Sequence, residues 1–340
     1  MRVLVTGGAG FIGSNFIRYC LAHHSDWELV NFDKLTYAGN LENLAGIDES
    51  RYSFVRGDIA DPAAVEGLFS QPFDVVVNFA AESHVDRSIL DSSPFLRTNV
   101  LGTQVLLEAA RRHGVALFIQ VSTDEVYGSL GEEDPPFSEG NPLAPNSPYA
   151  ASKASADLLA RAWWRTYRVP VVVTRCCNNF GPYQFPEKLI PLVITNALQD
   201  LAVPVYGDGR NIRDWIHVED HCRALDRIIQ AGKPGTIYNI GAGCEVRNID
   251  LVRTILSLLD KPESLIQYVP DRPGHDCRYA VDSSRIRREL GWTPTRSLQE
   301  SLPDVIAWYV RNEGWWRRVK SGAYRDYYEA VYVRHWGEAT

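Results

Sequence analysis

The sequence predicts an α/β fold: a doubly wound parallel sheet with a smaller C-terminal substrate-binding lobe. Three observations carry this. Short apolar, β-branched runs recur at 2–6, 28–32, 52–56, 73–79, 115–121 and 170–175, as strands buried on both faces require. Helical stretches at 11–24, 62–70, 94–113 and 149–168 separate them, and such alternation implies crossover units and a parallel sheet. A glycine-rich turn, Thr6-Gly7-Gly8-Ala9-Gly10-Phe11-Ile12-Gly13, joins the first strand to the first helix, where such sheets bind phosphate groups.

After about residue 180 the pattern loosens. Pro182, Pro186, Pro191 and Pro204 punctuate it, and Gly207-Asp208-Gly209 is a turn signal. Helices are expected near 187–200, 219–232, 248–260 and 299–313. Residues 1–180 are read as a Rossmann-type nucleotide-binding domain and 181–340 as mainly the second lobe, with about 214–240 returning to the first. The aromatic, charged tail from Trp315 is assigned no element.

Composition narrows the function. With 340 residues and 45% hydrophobic content the chain can bury a large core. A net charge of −7 argues against nucleic acid as the main partner. No apolar run approaches a membrane span and the start runs straight into the glycine turn, so neither a membrane nor a leader is expected. Cys20, Cys176, Cys177, Cys222, Cys244 and Cys277 show no C-x-x-C spacing, which fits reduced thiols in the cytoplasm.

Glycines at 7, 10 and 13 let backbone amides approach a pyrophosphate at a helix N-terminus. Asp33 lies 20 residues past Gly13, after the second strand. An acidic group there accepts hydrogen bonds from ribose hydroxyls and repels a 2′-phosphate, so NAD is favoured over NADP, with Lys34 softening the preference. Asp58-Ile59 follows the third strand, where an adenine edge is read, and Ala80-Ala81 are small enough to let a cofactor lie close. Asn99 is either a strut for the site or an ordinary helix polar residue.

The run 115–121 ends at Ser122-Thr123-Asp124-Glu125, at the mouth of the sheet. Tyr149 and Lys153 are i, i+4 on a helix and share a face. A phenol is a poor base at neutral pH; a nearby ammonium and a cationic nicotinamide favour the phenolate. Adjacent carboxyls disfavour double ionisation, so one can act as acid and the other as base.

T-G-G-A-G-F-I-G, N-F-A-A-E-S-H-V-D, S-T-D-E-V-Y-G and Y-A-A-S-K, with R-C-C-N-N-F-G-P at 175–182, R-D-W-I-H-V-E-D-H at 213–221 and R-P-G-H-D at 272–276, resemble the extended short-chain dehydrogenase/reductase family. Within it the chain is most similar to the nucleoside-diphosphate-glucose 4,6-dehydratases; T-D-E points most sharply to that branch. The resemblance implies that Tyr149 deprotonates the sugar 4-hydroxyl while hydride passes from carbon 4 to a tightly bound NAD. Glu125 then removes the carbon 5 proton, and protonated Asp124 donates to the departing 6-hydroxyl. Hydride returns to carbon 6, giving a 4-keto-6-deoxy sugar. Thr123 would bond the 4-oxygen, and Lys153 would hold the nicotinamide ribose and depress the phenol pKa.

The same resemblance implies further contacts. Thr36, Thr98 and Asn178 would join Gly7, Gly10, Phe11, Ile12, Gly13, Asp33, Lys34, Asp58, Ile59, Ala80, Ala81, Tyr149 and Lys153 around NAD. Ser83, His84, Thr123 and Asn179 would approach the sugar, and Lys188, Leu189, Arg213, Asn248, Arg272 and His275 the diphosphate and base, with Pro204 and Tyr206 framing the base. Among nucleotides dTDP is expected ahead of UDP, CDP or GDP. The chain departs from the usual R-C-S-N-N-Y-G-P at Cys177 and Phe180, which puts a hydroxyl hydrogen bond there in doubt. His217 and His221 are expected to open a helix rather than hold a metal. A homodimer is implied, with 94–113 and 149–168 pairing with their copies in a four-helix bundle; Trp163-Trp164 would lie on a buried face, either within the monomer or between subunits. The alternatives are a related 4-epimerase or decarboxylase, which need Tyr149 and Lys153 but no carboxyl doublet, and a non-catalytic nucleotide-binding scaffold.

Overall fold

In a computed structural model, which describes residues 1–321, seven parallel strands form the central sheet. Along the chain they are β1 (Arg2–Thr6), β2 (Glu28–Asp33), β3 (Tyr52–Arg56), β4 (Val75–Asn78), β5 (Leu117–Thr123), β6 (Val171–Cys176) and, after β7 (Asn178–Phe180), β8 (Val203–Tyr206) and β9 (Ile212–His217), the strand β10 (Ile237–Ile240). Their order is β3-β2-β1-β4-β5-β6-β10. The direction of strand addition reverses between β1 and β4, and that reversal opens a crevice at the carboxyl ends of the strands. The Val-rich runs at 75–77 and 171–173 are buried throughout because helices cover both faces.

The helices are α1 (Phe11–His23), α2 (Pro62–Leu68), α3 (Val85–Leu90), α4 (Ser93–Phe95), α5 (Thr103–His113), α6 (Pro148–Tyr167), α7 (Leu189–Ala197), α8 (Val218–Ala231), α9 (Asn248–Leu258), α10 (Ser284–Leu290), α11 (Leu298–Arg311) and α12 (Glu313–Val319). One apolar core, with Val3, Val5, Phe16, Leu29 and Ile228, lies on one face of the sheet. A second, with Leu4, Val30, Val76, Leu106 and Val173, lies on the other. A third gathers Phe180, Ile194, Val252, Ile255, Leu302 and Trp316 around α7, α9, α11 and α12. Trp315 and Trp316 thus belong to α12; the tail beyond Ser321 lies outside the described residues.

Two expectations change. The single helix at 94–113 is α4, a π-helical stretch (Leu96–Gly102) and α5. The widened turns carry Asn99, whose amide bridges two elements, and such bulges are frequent at functional sites. The strand expected at 115–121 runs Leu117–Thr123, so Ser122 and Thr123 are strand residues. Helix α6 begins where expected because Ser147 caps it, accepting from the Ala150 amide, and Pro148 occupies its first position.

Candidate active site

One cavity, about 340 Å³, runs along the carboxyl ends of β1, β2, β4, β5 and β6. Its floor is the glycine turn. Gly7 has φ +70°, and a Cβ there would sit 2.7 Å from the Ala80 amide nitrogen; a Cβ at Gly13 would sit 2.4 Å from the Gly7 carbonyl oxygen. Only glycine lets the loop, β4 and α1 close this tightly. Gly10 caps α1 without a side-chain acceptor, leaving the first-turn amides of Phe11 and Ile12 to face the cavity.

Asp33 ends β2. Its carboxylate accepts from Ala9 N at 2.9 Å and Leu35 N at 2.8 Å, so it also braces the glycine turn. Lys34 pairs with Asp58 at 2.8 Å. Asn99 is a strut: its Oδ1 accepts from Glu82 N and its Nδ2 donates to Glu82 O and Ser152 Oγ, all within 2.9 Å. This ties the cavity wall to α6 beside Tyr149. All the residues expected around NAD, from Gly7 to Asn178, border this one cavity.

The residues expected to react border the same cavity. Thr123 ends β5, its hydroxyl accepting from Glu125 N at 3.3 Å and donating to Asp124 Oδ1 at 3.2 Å. Asp124 is 2% exposed. Burial, then the charges of Glu125 and Asp214, push its carboxyl well above the usual range. Burial also raises Glu125, but Arg272, Lys188 and Arg213 oppose that rise. The doublet is therefore split, with Asp124 the better acid and Glu125 the better base.

Tyr149 is buried, its phenol pushed well above its ordinary value by burial first and Glu125 second, with Thr123 opposing that rise. Lys153 donates to the Val121 carbonyl at 2.6 Å, and burial lowers its ammonium. The expected depression of the phenol pKa by Lys153 is thus not what the protein alone produces. The ammonium is spent on a strand carbonyl, and desolvation dominates the phenol.

On the substrate side, Ser83, Thr123, Asn179, Lys188 and Leu189 border the cavity. Lys188 Nζ donates to Ser83 O at 2.7 Å. Asn179 spends its amide inside the protein, donating to Cys177 O and accepting from His221 Nδ1. Asn178, next to it, borders the cavity with no such commitment shown. His84, Pro204, Tyr206, Arg213, Asn248, Arg272 and His275 lie outside the lining. Arg213 stacks on Tyr279 at 4.2 Å and donates to Asp276 O at 2.9 Å. Arg272 and Tyr206 both engage Asp86, at 3.5 and 2.9 Å. His275 bonds Asp271 at 2.6 Å, and burial pulls its imidazole down to about 3. His84 lies between Asp86 and Glu187, at 3.8 and 3.9 Å. Pro204 lies in β8 opposite Gln267, and Asn248 opens α9.

Several cavity residues were not singled out from the sequence, among them Glu82, Glu187 and Trp215; Tyr37, just outside the lining, bonds one of them. Glu187 accepts from Tyr37 at 3.0 Å, and burial pushes its carboxyl up to about 7. Its place directly before Lys188 in P-E-K-L was the available signal. Cys176 and Cys177 border the cavity as buried thiols, and burial pushes Cys176 up to about 12, which makes it an inert wall rather than a nucleophile. His217 caps α8 through Nδ1.

A dinucleotide fold whose one cavity gathers a Tyr/Lys helix and a Thr-Asp-Glu triplet defines a nucleotide-sugar oxidoreductase or lyase of the Rossmann class. The chain belongs to the family whose model is described as GDP-mannose 4,6 dehydratase, which it matches over residues 4–305. It is 49% identical to a dTDP-glucose 4,6-dehydratase of Escherichia coli, with 95% of this chain and 98% of that one covered. It is 52% identical to the dTDP-glucose 4,6-dehydratase of Neisseria meningitidis serogroup B, with 95% and 97% covered. Its fold is similar to the dTDP-glucose 4,6-dehydratase of Streptomyces venezuelae solved with NAD bound, at TM-score 0.91 and 50% identity over 94% of this chain and all of that one. It is also similar to an NAD-bound UDP-glucose 4-epimerase of Thermus thermophilus, at TM-score 0.85 and 31% identity over 92% of this chain and 100% of that one.

Proposed function

We propose that this chain is an NAD-dependent hydro-lyase that converts dTDP-glucose to dTDP-4-keto-6-deoxyglucose and water. The observation that carries it is the Thr123-Asp124-Glu125 triplet, with Thr123 and Asp124 buried and Glu125 half-buried at the end of β5, in the cavity that also holds the glycine turn. The epimerase fold shares the cofactor crevice, so the fold does not separate the two activities. The carboxyl doublet does, because elimination of water needs both an acid and a base.

NAD, when bound, would supply the hydride acceptor and, once reduced, the hydride donor. The glycine turn, the first-turn amides of α1 and Asp33 would hold it. Tyr149 takes the 4-hydroxyl proton as the carbon–hydrogen bond at carbon 4 breaks. Thr123, at the end of β5 in the same cavity, orients the 4-oxygen. The 4-keto group acidifies carbon 5, Glu125 removes that proton, and Asp124 donates its proton to the 6-hydroxyl so that water leaves. Lys188 at the cavity wall, with Arg213 and Arg272 behind the lining yet close enough to act on Glu125, supplies the positive charge that a diphosphate requires. Incubation with dTDP-glucose should give the alkali-induced ultraviolet absorbance of a 4-keto-6-deoxy product, ahead of UDP-glucose. Absence of product from any hexose nucleotide would sink the assignment.

We also propose that two copies pair through 94–113 and α6. Leu96, Leu101 and Leu158 are 54%, 44% and 56% exposed on these segments, a placement that suits a four-helix interface. The Trp163-Trp164 pair is used within the subunit: Gly235 packs on the Trp164 indole and Trp163 joins the second core. Leu158→Arg should convert a dimer to a monomer in sedimentation equilibrium. A wild-type chain that sediments as a monomer refutes the pairing. Among the described residues no helix is long and apolar enough to cross a membrane, and the six unpaired thiols suit the cytoplasm.

A further inference from the structure

The end of the cavity around Asp33 contains more charge than the ribose contact needs. Asp58 lies one strand over: β3 pairs with β2 so that Arg56 faces Asp33, and Gly57 N donates to Asp33 O at 3.0 Å. Asp33, Lys34, Thr36 and Asp58 all border the same stretch of cavity. The Asp58 carboxylate is tied down from three directions. Its Oδ1 accepts from Ala60 N at 2.9 Å, and its Oδ2 lies 2.8 Å from Lys34 Nζ and 3.7 Å from Arg97 Nη2.

Lys34 follows directly on the residue that meets the ribose hydroxyls. An ammonium there is the natural partner of a 2′-phosphate, as an arginine is in NADP-binding relatives of this fold. Its own charge therefore works against the discrimination that Asp33 provides. Paired to Asp58, that charge is already neutralised, and Arg97 is drawn to the same oxygen.

We propose that Asp58 is a second specificity-determining residue for the dinucleotide, acting by withholding Lys34 and Arg97 from a 2′-phosphate. Asp33 excludes the phosphate by repulsion, and Asp58 removes the cations that would compensate it. Lys34 and Arg97 are half exposed, at 51% and 56% of the side chain, so each pairing is of modest strength. The expected effect is accordingly moderate. The groups facing Asp58 are Lys34, Arg97 and the Ala60 amide, with Asp33 on the neighbouring strand. Burial opposes its charge, yet those partners hold the carboxyl below the usual range, so Asp58 is ionised at neutral pH.

The inference rests on NAD being the resident cofactor. The test reads cofactor occupancy rather than turnover: purified holoenzyme is incubated with equal concentrations of NAD and NADP, and the bound dinucleotides are released and quantified. The NADP:NAD ratio cancels any loss of adenine contact, which both cofactors share. Asp58→Asn should raise this ratio about three- to tenfold, the scale of one or two exposed ion pairs, and Lys34→Met/Asp58→Asn should return it toward the wild-type value. An unchanged ratio in Asp58→Asn overturns the proposal, as does a gain that persists undiminished without Lys34. A wild-type protein that carries neither dinucleotide refutes instead the cofactor reading beneath it.

Discussion

Glu125→Gln should leave oxidation of the sugar nearly intact and stop the elimination, lowering product formation by about 10²–10⁴-fold, the usual range for a lost general base. The variant should accumulate the absorbance of reduced cofactor on mixing with dTDP-glucose. It should also lose solvent-deuterium exchange at carbon 5. These outcomes follow from where the two carboxyls lie. Asp124 is buried with Glu125 and Asp214 as its neighbours, and both push it toward the protonated form. Glu125 suffers the same burial, but Arg272, Lys188 and Arg213 favour its ionised form. A glutamine keeps the shape of Glu125 and cannot accept the proton. The sign of the pH dependence also follows: Glu125 works ionised and its carboxyl is raised, so activity should fall on the acid side as Glu125 protonates. Retained exchange with lost oxidation would reverse the roles of Glu125 and Tyr149.

Much of this site was legible because its physics is local. The strand runs 2–6 and 52–56 match β1 and β3 residue for residue; β1 is buried along most of its length, as its apolar run requires, whereas β3 is a half-exposed edge strand. Tyr149 and Lys153 could be placed on one helix face because Ser147-Pro148 fixes where α6 starts. What stayed hidden depends on distant residues. Tyr37 and Glu187 are 150 positions apart and meet only because the chain folds over the cavity. The π-helical turns around Asn99 arise in a segment whose apolar spacing reads as an ordinary helix, and the amide that bridges Glu82 and Ser152 has no local signature. Ser122 and Thr123 fall outside the apolar run 115–121, yet they pair with Arg175 and Cys176 of β6. Asn179 could be placed at the site from its motif, but that its amide is consumed by His221 and Cys177 required the fold.

The support beneath the reacting groups should be as consequential for stability as Glu125 is for chemistry. Asp157 lies one turn beyond Lys153 on α6 and pairs with Arg175 Nε at 2.9 Å, with side-chain exposures of 2% and 4%. Arg175 also lies over the Tyr127 ring at 4.7 Å, and Tyr127 in turn donates to Asn239 of β10 at 2.8 Å. Asp157→Ala leaves a guanidinium buried without its counter-ion, which costs about 3–5 kcal/mol. Thermal unfolding should shift downward by roughly 5–10 °C, toward the low end of what such a loss gives in smaller domains because the chain is larger. The pair is not valuable for its attraction alone, since replacing both partners with apolar groups of similar volume is often neutral or better. Asp157→Leu/Arg175→Met should therefore recover most of the lost melting temperature. If the single variant melts within about a degree of wild type, water or another acceptor reaches Arg175, and the pair does not brace α6 against β6. If the double variant instead melts lower than the single one, the stacking of Arg175 on Tyr127 is the larger contribution, and the ion pair is secondary to it.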